Sequence, residues 1–288
     1  MALGKFPASW DLPCPISLSA YWYLMLKIPI VSLRNGFHVA CFLAFQGMSS
    51  ASDLPASYVN SAGMKMIRVE KGEIRDLETR KEGEFKEIVI SEDYALAEME
   101  TTVGNWLPLM KENPDKIRGK HDSAETSELP VGGVSYEAAE EFCRKLTERE
   151  RLSGMLTAGY VYQLPTEEMW EYACRAGTKG DFPLPVERIA NHFWVNKDDA
   201  ELMTAKQLEP NPWGFRHMGG NLLEWCRPGA DRIGKPGDAP QGVIAYPLRG
   251  GCVTFHAEGC RSGRRHFLPS EDHPKYSFRV ALVKEADE

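Results

Sequence analysis

Near the C-terminal end three metal-capable side chains recur at a spacing of four: Cys252, His256 and Cys260. Thiolates and imidazole are ligands for copper, so a Cys-x3-His-x3-Cys run first suggests a soft metal held by two sulfurs and a nitrogen. A spacing of four puts three side chains on one face only where the backbone is helical. The competing reading is that the cysteines are free buried thiols, Cys being among the most buried residue types. The other histidines (His38, His121, His192, His217, His266 and His273) are scattered, and no H-E-x-x-H motif is present, which argues against a zinc hydrolase. No Cys-x-x-Cys pair occurs, so zinc ribbons and thioredoxin-type chemistry drop out. A phosphate-binding G-x-x-x-x-G-K-[ST] loop is also missing, which excludes an NTPase of that type. Arg261, Arg264, Arg265 and His266 make a local basic spot, read as a solvated loop balancing Glu258 and Glu271.

The elements that must position these residues are short. Ser135 is a good helix N-cap, and Ala138, Ala139, Phe142, Cys143 and Leu146 follow at helical spacing. Thr166 caps a second helix after Pro165. There Glu167 and Glu168 complement the positive end, Trp170, Ala173 and Cys174 form an inner face, and Gly177 stops it. Between Met64 and Ile90 short apolar runs predict two strands around a charged turn, and Asn113 to Glu128 reads as a polar loop. Beyond Gly180 no helix longer than two turns is expected, only Gly, Pro, Asn and Trp in short runs. Two main helices followed by a loop-rich, strand-containing tail make an α+β chain, low in regular structure.

Composition narrows the function. The 288 residues are 43% apolar and 26% charged, with a net charge of −7 and a mean hydropathy of −0.37, which excludes a polytopic membrane protein. An acidic chain without a basic tract is not built to neutralise phosphates, so no nucleic-acid partner is expected. Residues 1–52 differ from the rest: Lys5, Lys27 and Arg34 face the single acid Asp11. From Met25 the pattern resembles an export signal, with a cationic start, an apolar run from Gly36 to Phe45 and the small-residue exit Ser50-Ala51-Ser52. Residues 1–52 are therefore expected to be a leader with an over-long start, and 53–288 the working domain. The mature chain is expected to be exported, periplasmic or extracellular, with no membrane span.

Leu164-Pro165-Thr166-Glu167-Glu168-Met169-Trp170-Glu171-Tyr172 resembles the L-P-T-E-A-E-W-E-Y signature of formylglycine-generating enzymes, the sulfatase-modifying factors. Further motifs follow in that family's order. Glu100 to Trp106 is similar to its E-V-T-x-x-x-F/W strand, and Pro130 to Leu146 to its P-V-x-x-V-S-W helix entry. Asn211-Pro212-Trp213-Gly214 and Gly220-Asn221-Leu222-Leu223-Glu224-Trp225 resemble N-P-x-G and G-N-V-W-E-W. Arg249-Gly250-Gly251, Cys260-Arg261-Ser262 and Phe278-Arg279-Val280 resemble R-G-G-S-W, C-R-S-A and G-F-R-V. The resemblance implies the formylglycine-generating-enzyme variant of the C-type lectin fold. In such a fold Arg249, Arg261 and Arg279 are expected to satisfy carbonyls and carboxylates, and Trp170 and Trp225 to be core anchors.

The same resemblance implies what chemistry to look for. Active members oxidise a sulfatase cysteine within C-x-P-x-R, using Cu(I) between two thiolates placed six and eleven residues after the Arg of R-G-G-S. Counted from Arg249, those places are Phe255 and Cys260, while Cys252 stands where the family has Ser. Cys260 and Cys252 are thus the candidate catalytic residues, with copper the cofactor if the chain is active. A calcium site in the family would draw on Gly220, Leu222 and Glu224, with His217 in place of the usual Asn or Asp. The resemblance also places Cys226 near Cys260, close enough for a disulfide in an oxidising compartment. Two functions compete. One is an exported binding or accessory module for a peptide or glycan, lacking the two-cysteine copper site; the other is an active oxidase converting a sulfatase cysteine to formylglycine.

Overall fold

The computed structural model describes residues 54–75, 77, 86–114, 124–197, 202–204, 207–228, 244–271 and 273–286. The leader expected over 1–52 lies outside the described residues. The first strands form a hairpin, β1 (Ser57–Val59) against β2 (Lys65–Val69). Its turn is held by Asn60, whose Oδ1 accepts from the amides of Ala62 (3.1 Å) and Met64 (2.9 Å). Next come β3 (Gly72–Ile74) and β4 (Ile88–Ile90), a separate antiparallel pair. The expected two strands are therefore three, because Gly72-Glu73-Ile74 is too short and polar to show a pattern. β5 (Tyr94–Ala97) is buried along its whole length between β2 and the last strand, β11 (Ala281–Lys284). With β6 (Tyr160–Gln163) they make a five-stranded antiparallel sheet in the order β1-β2-β5-β11-β6.

The segment expected as a strand from Glu100 to Trp106 turns helical at Val103. α1 (Val103–Met110) opens on a capping box in which Thr102 accepts from the Asn105 amide and the Asn105 side chain accepts from the Thr102 amide. A short α2 (Ala124–Ser127) interrupts the expected polar loop. The two principal helices lie where the spacing predicts. α3 (Tyr136–Ser153) starts on Ser135 and ends at Gly154, with φ of 71°. It turns Ala139, Phe142, Cys143 and Leu146 inward, and Phe142 stacks on Trp106 at 5.6 Å and meets Phe278 edge-on at 5.3 Å. α4 (Glu167–Arg175) is capped by Thr166 and leaves through Ala176 and Gly177, both left-handed.

The remaining chain forms a four-stranded sheet in the order β10-β7-β8-β9: β7 (Leu223–Trp225), β8 (Ala245–Arg249), β9 (His266–Pro269) and β10 (Tyr276–Phe278). β7 and β10 run parallel and the other pairs antiparallel. After Gly180 the described residues include the 3₁₀ turns Val186–Asn191 and Ala257–Cys260. Trp225 is completely buried in a ring of Tyr136, Tyr246 and Tyr276, and its indole donates to the Val134 carbonyl at 2.7 Å. Trp170 is equally buried. Both are core anchors. No helix among the described residues is long and apolar enough to cross a membrane.

Candidate functional site

α4 presents an inner face that is only half apolar. Glu167 and Glu171, one turn apart, are both fully buried alongside Trp170 and Cys174. Burying two carboxylates is costly unless each is paired. Glu167 takes Arg265 Nε at 2.7 Å and Nη2 at 2.5 Å; Glu171 takes Arg175 Nε at 2.8 Å and a short bond from Arg249 Nη2. Arg249 also donates to the Ser262 carbonyl at 2.8 Å and lies over the Trp170 ring at 5.4 Å. Glu167 keeps its expected place in the first turn of the helix and is in addition an interior strut. The basic spot is dismantled in the same way. Arg265 turns inward, and Arg261 is buried beside Asp181 at 3.3 Å, donating to the Glu258 carbonyl at 2.9 Å. Of its three arginines only Arg264 is exposed.

Glu224 projects from β7 into the same interior. Its Oε2 accepts from the Trp170 indole at 2.7 Å and from Arg279 Nε at 2.5 Å, and its Oε1 from Arg279 Nη2 at 2.6 Å. Burial raises the Glu224 carboxyl while the Arg279 guanidinium opposes the shift. Burial likewise opposes the charge on Arg279, but Glu224 outweighs it and leaves the guanidinium raised. Arg279 further donates to the carbonyls of Ala97 and Arg216, each at 3.2 Å. Both Glu224 oxygens are taken by a bidentate cation and an indole. They do not fit a calcium ion, which needs carboxylate oxygens to spare and no guanidinium beside them. Nor does this carboxylate bond backbone amides.

The other residues considered for calcium serve the backbone. At Gly220, with φ of +83°, a Cβ would lie 2.2 Å from the Trp194 carbonyl oxygen, so only glycine fits. Leu222 is buried and its amide donates to Glu100 Oε1 at 3.2 Å. Glu100 Oε2 holds Asn221 Nδ2 at 3.0 Å and lies 3.2 Å from His217 Nδ1. His217 and Asn221 both have positive φ, 52° and 56°, and this buried trio pins the strained turn between them. Among the described residues no group of three His, Cys, Asp or Glu is arranged to hold a metal ion.

The Cys252 and Cys260 thiols lie near one another, but the imidazole between them in sequence is not with them. Cys252 and Cys260 are fully buried whereas His256 is exposed, so the run spaced by four does not converge. The segment is not an α-helix, and only its end forms a 3₁₀ turn. Burial pushes the Cys260 thiol up to about 12, reinforced by nearby Cys252 and opposed by the Gly220 and Cys252 amides. Phe255 occupies the other thiolate place and packs across Gly259 and against His266, ring centres 5.5 Å apart. Phe255 and Cys260 therefore do not fit the family's two-thiolate copper site, since the first supplies no sulfur. Cys252 contacts the Thr254 hydroxyl at 3.3 Å, which in turn accepts from Lys275 Nζ at 3.2 Å. The Cys226–Cys260 pairing does not form. Both are free thiols, Cys226 in the cluster around Trp170 and Cys260 with Ile189 and Phe193.

The interior roles of several residues carried no signal. Nothing in the sequence singles out Arg175, Arg265 reads as part of a solvated basic spot, and Glu100 is visible only as the first residue of a motif match. Glu171 had one: it falls a turn after Glu167 on a helix whose apolar face it shares. Asn211 was visible within its motif, but its work was not. Its Oδ1 accepts from the Trp213 and Phe215 amides, both at 3.0 Å, and its Nδ2 donates to the Ala173 carbonyl at 2.8 Å.

A fold held by buried Arg–carboxylate pairs and motif turns matches one known domain. The family model described as the sulfatase-modifying factor enzyme 1-like domain covers residues 51–284. The chain belongs to this family. A formylglycine-generating enzyme of Streptomyces coelicolor is 30% identical over 149 residues, covering 41% of this chain and 46% of that protein. A serine/threonine-protein kinase, pkn1, of Chlamydia pneumoniae is 28% identical over 165 residues, 53% of this chain and 24% of the kinase. The chaperone protein LppX of Paenibacillus barcinonensis is 23% identical over 230 residues, 64% of this chain and 79% of that protein. The chain thus spans about a quarter of the kinase and under half of the enzyme. Among solved structures, Treponema denticola variable protein 1 superposes with a TM-score of 0.65 at 20% identity, covering 79% of this chain and 99% of that one. PvdO from Pseudomonas aeruginosa gives 0.63 at 21%, covering 81% and 99%. At these identities the likeness is one of fold: the sulfatase-modifying-factor domain is α+β and C-type-lectin-like.

Proposed function

We propose that this sulfatase-modifying-factor domain is an exported binding or accessory module that does not oxidise cysteine. The observation that carries the reading is Phe255, which fills one of the two thiolate places and packs against Gly259 and His266, leaving Cys260 as the one thiol at the family's two places. What remains at the surface of the C-terminal loops is a contact face rather than a redox centre: half-buried Thr254, Phe255, His273 and Lys275, with Lys197 over the Trp194 ring at 4.7 Å. Such a mixture of aromatic, hydroxyl and cationic groups suits a peptide or glycan. The likeness to a protein named as a chaperone agrees with an accessory role. Export rests on the signal-like pattern of residues 25–52.

The alternative, a copper-dependent oxidase acting on a sulfatase cysteine, rests on the family and on the likeness to a formylglycine-generating enzyme. A Cu(I) titration against a competing chelator separates the two. The module reading expects no stoichiometric binding, and no difference between the wild type and Cys252→Ser. Tight one-to-one binding that vanishes in Cys252→Ser would overturn it.

A further inference from the structure

Away from Cys252, Phe255 and Cys260, the fold builds a second concave surface, lined in part by residues of the β1–β2 region outside the family motifs. A cavity of about 400 Å³ is lined by Ala56, Arg68, Val69, Glu70, Lys71, Tyr172 and Trp213. Its volume falls within the range of small-molecule sites. Two of its walls are aromatic, the rings of Tyr172 and Trp213 meeting edge-to-face at 5.0 Å. Trp213 occupies the open position of the N-P-x-G motif and is half-buried, in contrast to the core tryptophans Trp170 and Trp225. Its placement is rigid. Asn211 is buried, accepts from the Trp213 amide and clamps the loop to the end of α4 through the Ala173 and Cys174 carbonyls. Gly214 follows with φ of +93°, the turn that lets the indole stand out from the loop. On the other wall a Cβ at Gly72 would come within 2.4 Å of the Tyr172 hydroxyl, so glycine there keeps room for this group.

The polar groups around the cavity are donors in excess of acceptors. Among the described residues the Tyr172 hydroxyl, the Trp213 indole nitrogen and the Lys71 ammonium have no hydrogen-bond partner. Arg68 is partly engaged, by Glu70 at 3.0 Å and the Leu54 carbonyl at 3.3 Å. Counting Arg68, Lys71 and Glu70, the lining carries one net positive charge. An aromatic face beside spare donors and a cation calls for a ligand that has a flat apolar face, several acceptor oxygens and a negative charge.

We propose that this cavity binds an acidic sugar unit of a saccharide chain, its ring against Trp213 and its anionic group toward Lys71. The site is separate from the C-terminal loops, so it stands whether or not the domain oxidises cysteine. Tyr172 and the Trp213 indole nitrogen meet ring hydroxyls, and Lys71 meets the carboxylate or sulfate. Pairing with a charged ligand at this exposed edge is screened by salt.

The test is calorimetric titration of the full chain with three probes. These are a tetrasaccharide of alternating glucuronate and N-acetylglucosamine, its sulfated counterpart, and neutral chitotetraose. Binding of one or both acidic probes is expected, weakening as salt rises, with the stronger of the two identifying the anionic group. Chitotetraose should bind at least about tenfold more weakly. Trp213→Ala should lower affinity for the acidic probes at least about tenfold. Lys71→Gln, an exposed substitution that leaves the fold intact, should remove the preference for acidic over neutral probes. No binding of either acidic probe, equal binding of the neutral one, or unchanged affinity in folded Lys71→Gln would overturn the proposal.

Discussion

Replacing Glu224 by Gln tests whether this residue is a strut or a metal ligand. The carboxylate accepts three bonds, from Trp170 at 2.7 Å and from Arg279 at 2.5 and 2.6 Å, and all three residues are fully buried. The amide keeps the shape but removes the charge, and its NH₂ must face a donor. Arg279 is then left as a buried cation whose remaining bonds are to carbonyls. Breaking one side of a buried pair typically costs about 3–5 kcal/mol. For a domain of this size, that corresponds to a melting temperature lower by about 6–20 °C. The assay is thermal unfolding of wild type and Glu224→Gln, each with chelator and with excess calcium. The expected outcome is a large drop for the variant and no response of either protein to calcium. Two results would refute the reasoning. One is a wild type that loses comparable stability on chelation while the variant does not respond. The other is a variant within about 0.5 kcal/mol of wild type, the range of an ordinary surface change.

Three further outcomes follow from the same interior. Under non-reducing conditions peptide mapping should find Cys226 and Cys260 unlinked, and thiol reagents should label them only after denaturation; a Cys226–Cys260 peptide would show that their separate packing is wrong. His266 is pushed down to about 4, by burial first and by Arg264 second, so the folded protein resists its protonation. Its contribution is therefore complete above the ordinary value of about 6.5 and fades as pH falls toward 4, by at most about 3 kcal/mol. Urea midpoints measured from pH 7 to 4 should fall less steeply in His266→Phe than in wild type, and parallel curves would contradict the assignment. Phe142→Ala removes a ring stacked on Trp106 and should destabilise by about 3–5 kcal/mol in urea unfolding, a shift under 1 kcal/mol showing that the aromatic cluster is not a core.

What could be read in the sequence was what local rules govern. Ser135 and Thr166 start their helices because a hydroxyl satisfies a free amide, and that needs no tertiary information. The segment around Val103 misled because Thr-Thr-Val favours a strand in isolation, whereas the Thr102–Asn105 capping box is a reciprocal arrangement that overrides it. The site was legible as a set of motifs but not as a set of contacts. Arg249 and Arg279 were foreseen to satisfy buried acceptors, yet their carboxylate partners lie 78 and 55 residues away, a distance no spacing rule spans. The Cys252-His256-Cys260 run looked like a ligand set because spacing is visible and side-chain direction is not. The backbone there sends two thiols inward and the imidazole to solvent.

The central claim is that Phe255 stands where an oxidising member of this family needs a thiolate. Its most direct test is co-expression of the chain with a substrate peptide containing C-x-P-x-R, in copper-supplied medium, followed by mass measurement of the peptide's cysteine. The account predicts an unmodified cysteine, indistinguishable from that in cells lacking the chain. Conversion of that cysteine to the aldehyde, dependent on the chain and lost in Cys260→Ser, would contradict it.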